Sequence, residues 1–302
     1  MNLADMTDKV VLLTGGTSGI GRTTAQMLAE CGATVVITGR NQERGEQVVT
    51  ELSEETGGDS SLLTADFVEQ SEVRRLASEF RAERDRLDVL VHNAGTYRPE
   101  RQVTSDGIEE TLAVNHLAPF LLTHELVDLL IESVPARVVV VSSGLHERGH
   151  IHFDDLQLER NYDTQRAYAQ SKLANLLFTY ELARRLDSVT ANALHPGVIP
   201  STRLGRDSGL WSSLVYRFIG SLPRIGKTVE EAASLTAYLA ASTDVEGVNG
   251  AYYASRGSKS EPEPIESSPE SHNETLQRRL WEVSADLVGV ESLLPIDHET
   301  KP

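Results

Sequence analysis

The sequence is poor in cysteine and lysine and has no long apolar run. Its one cysteine, Cys31, excludes an internal disulfide and suits a reducing compartment. No apolar stretch approaches the roughly 18 residues that a membrane-spanning helix needs. Residues Met1–Asp8 lack the basic and apolar regions of a signal peptide, and the first predicted strand follows them directly. We therefore expect a cytoplasmic protein without a membrane span.

Positive charge is also scarce. The 302 residues carry a formal net charge of −17, and only five of the 28 basic residues are lysines. Such a balance argues against nucleic acid or anionic lipid as a partner, because both would be repelled. A large acidic excess is also typical of proteins from a high-salt cytoplasm, where salt screens the self-repulsion. Composition leaves this halophilic interpretation and an ordinary acidic cytosolic protein equally open.

Short β-branched runs alternate with longer segments of helical periodicity, which is typical of βαβ units around a parallel sheet. The predicted strands are Val10–Thr14, Thr34–Thr38, Leu62–Ala65, Val89–His92, Val138–Val141, Thr190–Leu194 and Ala251–Tyr253. The predicted helices are Gly21–Cys31, Gln42–Glu55, Val73–Glu83, Gly107–Ile131, Ala167–Leu186 and Val229–Ala241. The pattern predicts an α/β fold with a single doubly wound (Rossmann) parallel sheet flanked by helices.

The end of the chain departs from this alternation. Residues 257–273 are rich in Ser, Pro and Glu and predict a mobile loop. Glu274–Val288 returns to an amphipathic helix whose apolar side is predicted to carry Leu276, Leu280, Val283 and Leu287. We expect a dinucleotide-binding oxidoreductase domain over residues 1–256. Residues 257–302 would add the mobile loop and an appended C-terminal helix that docks on it.

A glycine-rich stretch, "LLTGGTSGIGRTTA", joins the first strand to the first helix. Gly15 permits a tight turn, Gly19 lets the backbone approach a pyrophosphate, and Gly21 lets helix and strand pack closely. The start of the helix supplies N–H donors and partial positive charge. Because a strand precedes the glycines and a helix follows them, the stretch predicts a dinucleotide site.

The second strand ends in "VVITGRN", which bears on the choice of cofactor. Roughly 20 residues after the glycine loop, NAD-binding proteins carry an acidic residue for the ribose 2′-hydroxyl. This chain has Arg40 there, and no acid follows before Glu43. A guanidinium can pair with a 2′-phosphate through two hydrogen bonds, whereas a carboxylate would repel it. The sequence therefore favours NADP(H) over NAD(H).

Tyr168 and Lys172 lie four residues apart on a predicted helix, so they share one face. A phenol with its ordinary pKa near 10 is a poor base at neutral pH, and a nearby ammonium is expected to lower that pKa. The same spacing also occurs in pairs of unrelated surface residues. The interpretation of this pair as catalytic therefore depends on the other motifs.

In this order, the motifs resemble those of the short-chain dehydrogenase/reductase family. "TGGTSGIG" and "YAQSK" match its glycine loop and its Tyr-x-x-x-Lys, and "HNAG" matches its Asn-Asn-Ala-Gly turn with His92 at the first position. We expect that departure to alter local hydrogen bonding without abolishing the turn. "VNHLAPFLLT", "GHIHFDDL" and "NETLQRRLWEVSADLVG" are similar to the retinol dehydrogenases and the WW-domain oxidoreductase within the family. The resemblance implies hydride transfer between a nicotinamide cofactor and an alcohol or carbonyl group.

The resemblance also implies which residues do the chemistry. Tyr168 would move the proton, Ser143 would orient the substrate oxygen, Lys172 would hold the nicotinamide ribose, and Asn115 would hold a water that relays protons to solvent. The residues implied around the cofactor are Gly15, Thr17, Ser18, Gly19, Ile20, Gly21, Arg40, Asn41, Asp66, Phe67, Asn93, Ala94, Gly95, Tyr168, Lys172, Pro196, Gly197, Ile199 and Ser201.

Residues 203–224 follow the Pro-Gly turn, where the family places a substrate lid. Their apolar residues could cover a lipophilic alcohol, aldehyde or ketone, or they could pack in the core or against another subunit. A homodimer or homotetramer is expected by analogy. No metal is expected, because the spacing of His146, His150 and His152 suits no common zinc motif. A catalytically silent cofactor-binding protein is the alternative, although all four catalytic residue types are present.

Thermal stability in salt tests the halophilic interpretation. If the acidic excess is an adaptation to salt, the melting temperature should rise as KCl approaches about molar concentration, because screening relieves the repulsion. The measurement is a thermal melt over a KCl series, with sucrose as a control for nonspecific stabilisation. A melting temperature that gains nothing from KCl would reject the interpretation.

Overall fold

The computed structural model describes residues 3–197, 199, 227–255 and 262–292. Within these ranges, eight strands form a sheet in the order β3-β2-β1-β4-β5-β6-β7-β8, in which β8 alone runs antiparallel to its neighbour. The strands are β1 Val10–Leu13, β2 Thr34–Gly39, β3 Ser60–Thr64, β4 Val89–His92, β5 Ala136–Val141, β6 Val189–His195, β7 Tyr252–Ser255 and β8 Pro262–Pro264. The predicted doubly wound parallel sheet is confirmed.

Helices cover both faces of the sheet. They are α1 Gly19–Glu30, α2 Gln42–Thr56, α3 Gln70–Glu83, α4 Glu110–Leu112, α5 Ala118–Glu132, α6 Thr164–Arg185, α7 Val229–Ala241 and α8 Glu274–Val288. One apolar core joins the sheet to α1, α2 and α7, and the other joins it to α3, α5, α6 and α8. The central strands β1 and β4 are buried along their whole length because both faces are covered. No helix in the described ranges is long and apolar enough to cross a bilayer.

The predicted helix Gly107–Ile131 is divided in the structure. The Glu109 carboxylate accepts hydrogen bonds from Thr111 N and Leu112 N, at 2.9 and 2.8 Å, and so starts α4. A π-helical turn, Ala113–Leu117, then leads into α5. Pro119 has no N–H to donate to the carbonyl of Asn115, four residues earlier, so the regular helical ladder cannot continue here. The break places Asn115 on the widened turn.

Residues 262–273, part of the stretch predicted to be a mobile loop, carry secondary structure. They include β8 and a 3₁₀ turn, Pro269–His272. The polar side chains of this stretch bond to the protein: Ser267 Oγ lies 2.7 Å from Tyr180 Oη, and Ser271 Oγ donates to Ser268 O at 2.6 Å. Composition alone could not show that these serines have partners on the folded domain. The expected lid, residues 203–224, lies outside the described residues.

The C-terminal helix α8 has the predicted bounds but a rotated buried face. Of the predicted apolar stripe only Leu280 is fully buried, while Trp281, Gln277 and Ser284 are buried beside it. Trp281 packs against the rings of Phe120 on α5 and Phe178 on α6, with centroids 4.8 and 5.9 Å away. Apolar periodicity alone does not locate the buried face of α8, because two of the residues buried there are polar and hydrogen bonded.

Candidate active site

The winding of the chain reverses between β1 and β4, at the carboxyl ends of the parallel strands. Open α/β sheets bind their ligands at such a point, because the loops on the two sides diverge there. The predicted site residues within the described ranges follow the carboxyl ends of β1 to β6 or lie on the π turn and α6. The topology therefore gathers segments that are distant in the sequence.

The glycine loop has the backbone that a phosphate cradle needs. Gly15 and Gly19 have φ angles of 71° and 54°, which side-chain-bearing residues rarely adopt. A Cβ on Gly19 would meet nothing within 4 Å, whereas a Cβ on Gly21 would lie 2.3 Å from Gly15 O. The side chain of Ser18 does not cap α1, which leaves the first N–H groups of the helix for another acceptor. These residues fit a dinucleotide pyrophosphate.

Hydrogen bonds from β4 hold this loop in place. Thr14 Oγ1 accepts from the N–H groups of Asn93 and Ala94, each at 3.0 Å. The Asn93 side-chain amide donates to Thr14 O at 2.9 Å and to Gly15 O at 3.3 Å. His92, which departs from the family motif, is buried and lies 2.7 Å from Thr123 Oγ1 on α5. The turn is kept, and the histidine forms its hydrogen bond on the side of α5.

The carboxyl end of β2 presents two arginines. Arg40 is exposed, and the Asn41 side chain caps α2 by accepting from Arg44 N at 2.8 Å. Arg44 Nε donates to Thr17 O at 3.0 Å, which brings a second guanidinium against the glycine loop. Sequence reasoning missed Arg44. Its position three residues after the helix cap was the available signal, because that spacing returns a side chain toward the start of its helix.

The remaining cofactor candidates lie on neighbouring loops. Asp66 is half-buried and accepts a hydrogen bond from Val68 N at 3.3 Å, and Phe67 is buried. Gly197 has a φ of 86°, and a Cβ there would lie 2.9 Å from Lys227 Cδ. Pro196 and Ile199 are half-buried, and Ser201 lies outside the described residues.

Tyr168 and Lys172 lie on α6 with their side chains buried, only 8% and 4% exposed. Lys172 Nζ donates to Val141 O at 3.0 Å and lies 5.6 Å from the centroid of the Tyr168 ring. The Tyr168 hydroxyl has a hydrogen-bonding interaction with the Ser143 side chain. The pair is therefore an interior pair, and the interpretation as two surface residues is excluded.

Burial dominates the proton affinities of this pair. It raises the pKa of Tyr168 to about 12, opposed by the hydrogen bond to Ser143, and lowers the pKa of Lys172 to about 8. The expectation that the ammonium would lower the phenol pKa is therefore wrong for this structure. Both charged forms lose hydration, and the ammonium bonds to a carbonyl oxygen instead of the phenol. At neutral pH the phenol carries its proton.

Asn115 adjoins the pair. Its Oδ1 accepts from Thr96 N at 2.7 Å, and its Nδ2 donates to Thr96 O and Ser171 Oγ, each at 3.0 Å. A Cβ on Gly95 would lie 3.3 Å from Asn115 Oδ1 and 3.7 Å from Lys172 Nζ. The glycine therefore leaves room between the two side chains. Both polar atoms of the Asn115 side chain therefore have protein partners.

Two further residues beside the site were not predicted to act there. Tyr97 is buried and packs edge-on against Tyr168, with ring centroids 5.5 Å apart. His146, 1% exposed, has Nδ1 2.8 Å from Ser143 O and accepts at Nε2 from Ser268 N at 3.2 Å. Burial lowers the pKa of His146, so its ring is neutral. The contact joins His146 to Ser268, 122 residues later in the sequence, which local spacing could not reveal.

The chain matches a known family. Residues 9–212 match the family model described as short chain dehydrogenase. Retinol dehydrogenase 14 of Mus musculus is 41% identical over 300 residues, which span 94% of this chain and 87% of that protein. The chain therefore belongs to the short-chain dehydrogenase/reductase family, and it is an oxidoreductase of CH–OH and C=O groups.

Two solved structures are also similar to this chain in fold and sequence. An uncharacterized protein from Mycobacterium paratuberculosis superposes with a TM-score of 0.78 and 31% identity, over 97% of this chain and 98% of that one. Pseudomonas aeruginosa RhlG, solved as a complex with NADP, gives a TM-score of 0.68 and 29% identity, over 83% and 96%. Among the described residues of this chain, no group of three or more His, Cys, Asp or Glu could hold a metal ion.

Replacing Gly21 with Ala tests the cradle. The added Cβ would meet Gly15 O at 2.3 Å, so we expect the NADPH dissociation constant to rise at least about tenfold and the melting temperature to fall. Isothermal titration and a thermal melt measure both. Gly247→Ala is the control, because its φ of 71° imposes strain but nothing lies within 4 Å. An unchanged dissociation constant for Gly21→Ala would contradict the cradle.

Proposed function

We propose that the protein is an NADP(H)-dependent oxidoreductase that interconverts the carbonyl and alcohol forms of a lipophilic small molecule. The observation that carries the proposal is the buried Tyr168–Lys172 pair, which lies beside Asn115 and Ser143 at the mouth of a dinucleotide crevice. The bound cofactor supplies or accepts the hydride. The protein supplies position, shielding from water and the proton.

Tyr168 moves the proton. Its phenol is protonated at neutral pH, so in the reductive direction its Oη donates to the substrate oxygen as hydride arrives at the carbon. Ser143 already interacts with the same hydroxyl, so a substrate oxygen in hydrogen-bond reach of both side chains is fixed in orientation. Tyr97 packs against the Tyr168 ring and limits its movement. In the oxidative direction the phenolate would accept the proton.

Lys172 and Asn115 return the proton to Tyr168. Burial of the ammonium favours release of its proton near neutral pH, which suits a group that passes protons on. Its Nζ lies next to the Gly95 turn, where it would also bind the nicotinamide ribose hydroxyls. Asn115 lies across the same glycine, and a water on its backbone carbonyl would connect Lys172 to solvent.

NADP(H) is the favoured cofactor. The pyrophosphate would lie on Gly15 to Gly21, with Asp66 toward the adenine and the turn at Asn93 along the ribose. Arg40 and Arg44 offer two guanidinium groups at the end of β2, where a 2′-phosphate would lie, and no carboxylate stands at Arg40. The NADP complex of RhlG supports this choice.

The proposed substrate class rests on similarity to other proteins and on the composition of the expected lid. The names of relatives such as retinol dehydrogenase 14 favour a hydrophobic alcohol or carbonyl compound. The apolar residues of the expected lid, at about 203–224, favour the same class. A cytoplasmic location, a high-salt setting and assembly as a homodimer or homotetramer stay predictions.

Tyr168→Phe tests the proton transfer. We expect the variant to lose turnover by at least about a thousandfold while binding NADPH as well as the wild type, because only the hydroxyl is removed. NADPH consumption over a panel of aldehydes, ketones and retinoids measures turnover. Tyr238→Phe is the matched control, since Tyr238 is also 8% exposed but packs on the other side of the sheet. Turnover retained in Tyr168→Phe would overturn the mechanism.

Arg40→Asp tests the choice of cofactor. The carboxylate would repel a 2′-phosphate, so we expect the ratio of NADPH to NADH affinity to fall at least about tenfold, and Arg44→Gln to lower it less. Titration with both cofactors measures the ratio. Arg278→Asp makes the same change in net charge at an exposed position of α8 and should leave the ratio as in the wild type. An unchanged ratio in Arg40→Asp would reject the assignment.

A further inference from the structure

Two buried histidines lie within three residues of Ser143 and Asn115 in the sequence. Both contact residues 262–292, which we call the C-terminal segment. His146 lies three residues after Ser143, and its Nε2 accepts from Ser268 N at 3.2 Å. His116 directly follows Asn115, and its Nε2 lies 2.8 Å from Ser284 Oγ on α8. The segment therefore reaches both sides of the site through a histidine ring.

The partners of His146 determine where its proton lies. Ser143 O can only accept, so Nδ1, 2.8 Å away, must carry the hydrogen. Ser268 N–H can only donate, so Nε2 must offer its lone pair. The ring is therefore a neutral bridge with one direction, from the Ser143 carbonyl to the C-terminal segment. The Tyr252 ring packs edge-on against it at 5.1 Å and restricts its rotation.

Ser143 needs such support. It precedes a short 3₁₀ turn, Gly144–Arg148, in which Gly144, Glu147 and Arg148 are exposed. Its own Oγ accepts from Leu145 N at a long 3.3 Å, which restrains the side chain weakly. The His146 backbone N–H closes this turn by donating to Ser143 O at 3.0 Å, and the His146 ring adds a second bond to the same carbonyl. The contact with Ser268 attaches the turn to the folded domain.

His116 supports the other side of the site. It lies on the π turn that carries Asn115, where the regular helical ladder is interrupted. Its ring packs against Phe120 and Phe178, which also contact Trp281. Ser284 is fully buried among these apolar groups, so its hydroxyl depends on His116 for a hydrogen bond. The orientation of the π turn is thus coupled to the seating of α8.

We propose that the C-terminal segment is part of the catalytic apparatus, with His146 as the positioning residue for Ser143 and His116 as the positioning residue for the Asn115 turn. The inference rests on the roles proposed above for Ser143 and Asn115. It assigns to residues 262–292 a contribution to turnover in addition to their packing on α5 and α6.

Two replacements at His146 separate its two hydrogen bonds. In His146→Asn the amide nitrogen can stand where Nδ1 stands and keep the bond to Ser143 O. In His146→Gln the longer side chain can place an amide oxygen where Nε2 stands and keep only the bond from Ser268 N. Ser284→Ala removes the hydroxyl that bonds to His116. His150→Ala is the matched control, because it breaks another contact to the same segment, at Glu270, from a side chain that is 67% exposed.

The readouts are kcat and KM for carbonyl reduction, the NADPH dissociation constant and the melting temperature. We expect His146→Gln to lower kcat about tenfold or more, because a displaced Ser143 orients the substrate oxygen poorly, while NADPH affinity stays within about twofold. His146→Asn should also lower kcat, because it keeps the bond to Ser143 O but loses the link to Ser268 in the C-terminal segment. Ser284→Ala should lower kcat without changing NADPH affinity, and His150→Ala should behave as the wild type.

The inference is overturned if His146→Asn and Ser284→Ala, each of which breaks a bond to the C-terminal segment, keep the kcat of His150→Ala, or if His146→Gln does so. Should His146→Gln fail to fold, the comparison of Ser284→Ala and His146→Asn with the control decides by the same criteria. Failure of the proposed function looks different: the wild type would then reduce no carbonyl compound, or Tyr168→Phe would retain turnover.

Discussion

The burial of α6 is the constraint on which the site depends. Its residues Ala167–Leu182 are enclosed by the sheet, the π turn before α5 and the C-terminal helix α8. A tyrosine and a lysine on an exposed helix would keep nearly ordinary proton affinities. In this interior position, loss of hydration moves the two pKa values apart, to about 12 for the phenol and about 8 for the ammonium.

Three groups of contacts bring the other side chains to this helix. Thr14 and Asn93 join β1 to β4 and hold the glycine loop, and Gly95 lets Asn115 and Lys172 approach each other. The C-terminal segment reaches the same region from the opposite side through two neutral histidines. The sheet carries the glycine loop, and the appended segment contacts the turn of Ser143 and the π turn of Asn115.

Much of the fold and of the candidate site could be predicted from the sequence alone. β4, α7 and α8 have the predicted bounds, and the predicted strands lie within two residues of those observed, because parallel strands covered on both faces are continuous apolar runs. The site residues follow from ordered motifs. The buried face of α8 could not be predicted from apolar periodicity, because two of the residues buried there are polar and hydrogen bonded.

The sequence by itself determined the class of fold, the glycine cradle, the arginine at the end of β2 and the Tyr-x-x-x-Lys pair, since each depends on spacing within one element or one loop. Only the tertiary structure decided the protonation of Tyr168, the partners of the Asn115 side chain, and the contacts of His116 and His146 with Ser284 and Ser268. Burial and hydrogen bonds between distant segments set these properties, and neither has a signature in local spacing.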